Sequence, residues 1–281
     1  MRWPALALVF AAACVPTTED KAPRGAAGVV VEPGAAARGE PFVTGGGWTV
    51  RFERLGLLAM MTATTAKDGQ SAFLLWDGST RAETYRRAFS AGPARVSIQL
   101  EAFVASTRAE RQIDAFVARS PIDTALEQRF RSLPDNGGTR GESAGDFRSG
   151  PGIVFRVRGE RNGEVLTIDL ALAPSIQFIS RGHATEITVV ANDVRYAQVV
   201  IAAERLFDGE VTFERLAEAD RLGDHDGHVG AKELDAIRLG QSSESQLAVC
   251  DEAAPFWHEH PECQTLLDGL ALQADQIFVA P

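Results

Sequence analysis

Between residues 220 and 233 the chain reads Asp-Arg-Leu-Gly-Asp-His-Asp-Gly-His-Val-Gly-Ala-Lys-Glu, the one stretch whose spacing of side chains implies chemistry. Carboxylates at alternate positions, a glycine where the backbone must turn sharply and a distal glutamate suit a hard cation, which takes about six to eight oxygens at flexible distances. On this reading the ion is calcium. Asp224 and Asp226 supply alternating carboxylates, Gly227 the turn, His228 its backbone carbonyl and Glu233 the closing ligand. The first carboxylate is displaced. Leu222 has no oxygen to give, so Asp220 must serve from two residues upstream, with Leu222 and Gly223 bulging out of a lengthened loop. The alternative is a solvated acidic turn between two helices.

Helical periodicity flanks the loop: Phe213, Leu216 and Ala217 fall on one face before it, and Leu234 and Ile237 after it. The exiting helix is expected to begin at Leu234, and Val229 stands where an apolar residue pins such a loop to a neighbour. The segment resembles the EF-hand calcium-loop family over 14 of 281 residues. The resemblance implies calcium-ligand roles for Asp220, Asp224, Asp226, His228 and Glu233 only. EF-hands act in pairs, yet the nearest thing to a second copy, Asn162-Gly163-Glu164-Val165 followed by Asp169, reads better as a hairpin turn.

Other chemistry competes for the same region. His225 and His228 flank Asp226, and His258 and His260 lie near Cys263, which opens a copper or zinc reading. Cys250 and Cys263 form a disulfide if the protein is exported, closing a small loop around Trp257 and stabilising by about 3 kcal/mol. An oxidised cysteine could not then ligate a metal. For enzymes the chain has neither a G-x-S-x-G elbow nor an H-E-x-x-H helix, neither a Walker loop nor G-x-G-x-x-G, and His183 reads as a lone loop histidine. Trp48, Trp76 and Trp257 could form an aromatic platform for glycans, though burial explains such residues equally well. The expectation is a protein that is not an enzyme.

Met1 to Ala13 has a single basic residue, an apolar run and a small-residue triplet, the pattern of a signal peptide over 1–13. Cys14 follows directly, so the segment also resembles a lipoprotein signal in which Cys14 is lipidated. Ordinary cleavage is the alternative. Both readings export the protein, and the first anchors it to a membrane facing the periplasm or cell surface. A net charge of −10 argues against nucleic acid as a partner. It does not point to any particular protein or glycan partner.

The remaining elements must position the loop. Residues 14–47, rich in Ala, Pro and Gly, read as a flexible tether. From Trp48 the pattern alternates: Trp48, Val50 and Phe52 against Thr49, Arg51 and Glu53. Val96, Ile98 and Leu100 repeat it. Ile153, Phe155 and Val157, then Asn162-Gly163, then Leu166 to Leu172 predict a hairpin. Ala72–Trp76, Glu186–Val190 and Ala197–Ala202 are further strands. Helices are predicted over Ala109–Arg119 and Asp123–Leu133, followed by a glycine-rich loop, Pro134–Gly152. The fold class is mainly β: an antiparallel β-sandwich-like domain at 48–207 and a small helical region at 208–281. The strands from Ile153 onward, Leu206-Phe207, Phe213, Ala217, Ala219-Asp220 and the loop resemble a group of Gram-negative lipoproteins that join a β domain to a C-terminal calcium-type loop. That group has no assigned activity. Its members carry histidines just before the Leu-Phe pair, where this chain has Ala202 and Arg205.

Overall fold

The computed structural model describes residues 23–65, 69–76, 81–100, 103–104, 149–150, 152–172, 183–239 and 264–281. The strands are β1 (Arg24–Pro33), β2 (Phe42–Val43), β3 (Thr49–Thr65), β4 (Gly69–Trp76), β5 (Ala82–Ser90), β6 (Gly92–Leu100), β7 (Phe103–Val104), β8 (Ser149–Gly150), β9 (Ile153–Arg161), β10 (Glu164–Leu172), β11 (His183–Val189) and β12 (Val194–Ile201). Helix α1 (Phe213–Leu222), strand β13 (His228–Val229), helices α2 (Ala231–Ala236) and α3 (Leu266–Gln273) and strand β14 (Phe278–Val279) complete the order. The fold is mainly β, as the alternating pattern predicts. The helices expected at Ala109–Arg119 and Asp123–Leu133 lie outside the described residues, as do most of Pro134–Gly152 and all three cysteines.

Strand β3 is the spine of the larger sheet. Over its first half it pairs with β2 and β9, and over its second with β4 and β6. The positions that join the main core are Trp48, Val50 and Phe52, then Leu55, Leu57, Ala59, Met61 and Ala63, so the inward parity switches from even to odd, while Leu58 is buried outside that cluster. A register shift between Phe52 and Arg54 explains the switch, because one extra residue at Glu53 turns the following side chains over without breaking the strand. Strands β9 and β10 form the expected hairpin, and Asn162 and Gly163 both take positive φ, 52° and 86°, as its two-residue turn requires.

The smaller sheet has the order β14-β12-β1-β5 and corrects two expectations. Residues 24–47 are not tether: β1 lies between β12 and β5, with Ala27, Val29 and Val31 wholly buried. Buried on both faces, it shows no alternation, and its alanines and glycines disguise a central strand as a linker. Its pairing with β12 is parallel, so the architecture is not wholly antiparallel.

Residue 207 is not a domain boundary either. One continuous core runs from Trp48 and Phe52 through Phe155 to Phe207, Phe213, Leu216 and Leu270. Phe207 packs edge-on against Phe213, with ring centroids 5.4 Å apart. Gln273 of α3, almost wholly buried, accepts from the Val211 amide at 2.6 Å and donates to the Leu206 and Val211 carbonyls at 3.1 Å each. Strand β14 then pairs with β12, building the end of the chain into the smaller sheet.

Candidate metal centre

Helix α1 begins at Thr212, whose hydroxyl accepts from the Arg215 amide, and it buries Phe213, Leu216, Ala217 and Ala219 along one face. That periodicity carries Asp220 to the same face in the last turn of the helix. Asp220 is only 3% exposed, unusual for a carboxylate, and burying a charge is costly unless it is paired. Its Oδ1 accepts from the Gly227 amide at 2.9 Å, and its carbonyl accepts from the His225 amide at 3.0 Å. Positive φ at His225, 57°, and Gly227, 77°, folds the loop tightly between these two bonds. Asp226 Oδ1 accepts from the His228 amide at 2.7 Å.

The fold therefore gathers the aspartates singled out by their spacing. Asp220, Asp224 and Asp226 each present an oxygen, and the three oxygens lie within 4.8 Å of one another. Glu233 closes the loop from α2. This helix starts at Ala231, three residues earlier than periodicity suggests, because Glu233 Oε2 accepts from the Gly230 amide at 2.8 Å and caps it. The other oxygen, Oε1, is buried with no hydrogen-bond partner. It sits against Gly223, only 2.6 Å from the place a Cβ would take there. A Cβ at Gly223 would therefore push the glutamate's carboxylate aside.

A chelating set made only of carboxylate oxygens fits a hard divalent cation and not a thiophilic one. Among the described residues the group that could hold a metal ion is Asp220, Asp224 and Asp226; Glu233, His225 and His228 fall outside it, and both histidines are exposed. His258, His260, Cys250, Cys263 and Cys14 lie outside the described residues. Trp48 and Trp76 are buried, 0% and 3% exposed, which removes both from any stacking platform. Instead Trp48 packs on Phe213 at 5.3 Å and carries the Arg161 guanidinium over its ring at 4.5 Å.

Two features were not foreseen from the sequence. The loop has a structural neighbour, but it is the sheet: β13 pairs in parallel with β10, setting Val229 opposite Ile168, both fully buried. The apolar character of Val229 was the signal; its partner could not be read from spacing. Second, the start of α1 is clasped to the segment before β3 by Glu214, whose Oε1 accepts from Thr44 Oγ1 at 2.9 Å. Burial works to raise the Glu214 carboxyl. Hydrogen bonds at its own backbone, at Thr44, at Thr212 and at the Gly46 backbone outweigh it and hold the group below its ordinary range.

No protein-family model matches the chain, and no curated protein or solved structure matches it either. Function must be argued from the site.

Proposed function

We propose that the protein is a non-enzymatic, exported calcium-binding protein whose ion is structural, stiffening the α1–loop–α2 unit against the β core. The observation that carries this reading is a three-aspartate cluster with one buried member, Asp220, in a loop that also holds a buried, unpartnered Glu233 Oε1. A buried acceptor without a donor costs on the order of 1–3 kcal/mol, and a cation offsets that cost at Glu233 while relieving repulsion among the aspartates. Asp220, Asp224, Asp226, the His228 carbonyl and Glu233 would hold the ion, and bound calcium would supply charge neutralisation and rigidity. Affinity is expected to be modest, in the range of extracellular modules, because the first ligand arrives through a lengthened loop.

The signal-like segment before Cys14 supports export, with Cys14 as a lipid anchor. Since β1 begins at Arg24, the tether would be ten residues from the anchor, a reach of at most roughly 35 Å. The folded body would then stay close to the membrane surface. Mass spectrometry of the mature N-terminus tests this: a diacylglyceryl-modified Cys14 is expected, and an unmodified cysteine or an uncleaved leader would refute it. For the ion, calcium titration of the full chain and of Glu233→Gln decides the matter. Saturable binding by the first and none by the second is expected; equal binding by both would remove the assignment.

A further inference from the structure

The turn between β2 and β3, Thr44-Gly45-Gly46-Gly47-Trp48, is closed at its base by its own backbone: the Thr44 amide donates to the Trp48 carbonyl at 2.9 Å, and the Gly47 amide to the Thr44 carbonyl at 3.0 Å. Its tip is gripped from two sides. Glu214, in the first turn of α1, accepts from the Thr44 hydroxyl at 2.9 Å and from the Gly46 amide, and a Cβ at Gly46 would collide with its carboxylate. Arg161 of β9 donates from Nη1 to the Gly46 carbonyl at 3.3 Å, while its guanidinium lies over the Trp48 ring. Gly45, Gly46 and Gly47 are exposed, yet the adjoining Trp48 is wholly buried and its indole Nε1 has no hydrogen-bond partner.

We infer that Glu214 is the latch of an acid-released clasp: its carboxylate holds the 44–47 turn onto the start of α1, and its protonated form lets the turn lift and water reach Trp48. The inference is independent of the calcium reading. A hydrogen bond to a carboxylate is about twice as strong as one to a neutral acceptor, and protonation puts a donor on a group already faced by the Thr44 hydroxyl and the Gly46 amide. Against the closed state stands the buried Trp48 Nε1, which regains a hydrogen bond when water reaches it. Residues 42–48 carry no charge. The charged groups around Glu214 are Arg161 with its partner Glu164 of β10, 3.6 Å away, and Arg215 and Glu218 on α1 itself; Arg215 is engaged by the Glu210 and Leu239 carbonyls, and Glu218 is exposed. Burial works to raise the Glu214 carboxyl, but its hydrogen bonds hold it below its ordinary range. The clasp is therefore closed above the usual carboxylate range and opens only as pH falls through the depressed value.

Amide and indole hydrogen exchange of the full chain, followed by NMR from neutral pH into the acid range, tests the clasp at Gly46 and at Trp48 Nε1, with Val29 and Val31 of the other sheet as the reference for global opening. Protection at Gly46 and Trp48 should fall by about five- to tenfold, the difference between a charge-assisted and a neutral hydrogen bond, while Val29 and Val31 stay protected. Glu214→Gln should remove the pH dependence, and Glu164→Gln should respond as the native chain does. Gly46→Ala, which displaces the carboxylate, should leave Trp48 Nε1 exchanging fast at every pH. Protection at Gly46 that is indifferent to acid, or that is lost together with Val29 and Val31, overturns the clasp. So does an acid response that survives in Glu214→Gln or disappears in Glu164→Gln, or a Trp48 that stays protected in Gly46→Ala.

Discussion

Glu233 and Gly223 carry the sharpest consequences of the site. Any side chain at Gly223 collides with Glu233 Oε1, so Gly223→Ala should displace the glutamate and weaken calcium binding by about 10–100-fold, the usual cost of disturbing what positions a ligand. Titration of that variant checks it, and unchanged affinity would show that Glu233 does not reach the ion. Glu214 makes a separate prediction through pH. Its carboxyl is held low in the folded state, so its contribution to stability is present above the ordinary carboxylate range and is lost as pH falls through the depressed value. Glu214→Gln should flatten the acid limb of the pH–stability curve; a denaturation series between neutral and acidic pH measures the difference. The carboxylate spacing was legible because oxygen ligands leave a pattern in the sequence. The burial of Asp220 and the unpartnered Oε1 were not, since both depend on how two helices converge in space.

Among the elements, those with strict alternation could be read directly, and those buried on both faces could not. The hairpin around Asn162-Gly163 follows from its turn residues and its flanking alternation. Gly163→Ala should destabilise by about 1 kcal/mol through the positive φ alone, measurable by chemical denaturation. Strand β3 was legible only as far as Phe52, because the extra residue at Glu53 inverts the inward parity beyond it. Strand β1 reads as tether in the sequence, since a central strand has no polar face to alternate with. Two changes test its place in the core. Val31→Ala should cost roughly 2 kcal/mol, and a chain begun at residue 48 should fail to fold, as judged by circular dichroism. A stable, cooperative 48–281 fragment would contradict the central position of β1.

Taken as one body, the molecule joins its β sheets and its C-terminal helices through a single core, with Gln273 and β14 as the joints. The helical region reads as separable in the sequence because its periodicity differs from that of the strands; its packing partners, Trp48 against Phe213 and Ile168 against Val229, are distant in the chain. An ion bound at the loop should therefore stabilise the whole fold cooperatively. At calcium about a hundred times Kd the gain is about 2.7 kcal/mol. For a chain of this size that corresponds to a rise in melting temperature of roughly 5–10 °C. The measurement to make is a scanning-calorimetry melt of the full-length protein in chelator and in millimolar calcium, alongside Glu233→Gln. A calcium-dependent rise in the native chain, absent from the variant, is the predicted result. A melting temperature indifferent to calcium in the native chain, or a rise equal in both proteins, would contradict the assignment of residues 220 to 233 as a calcium site.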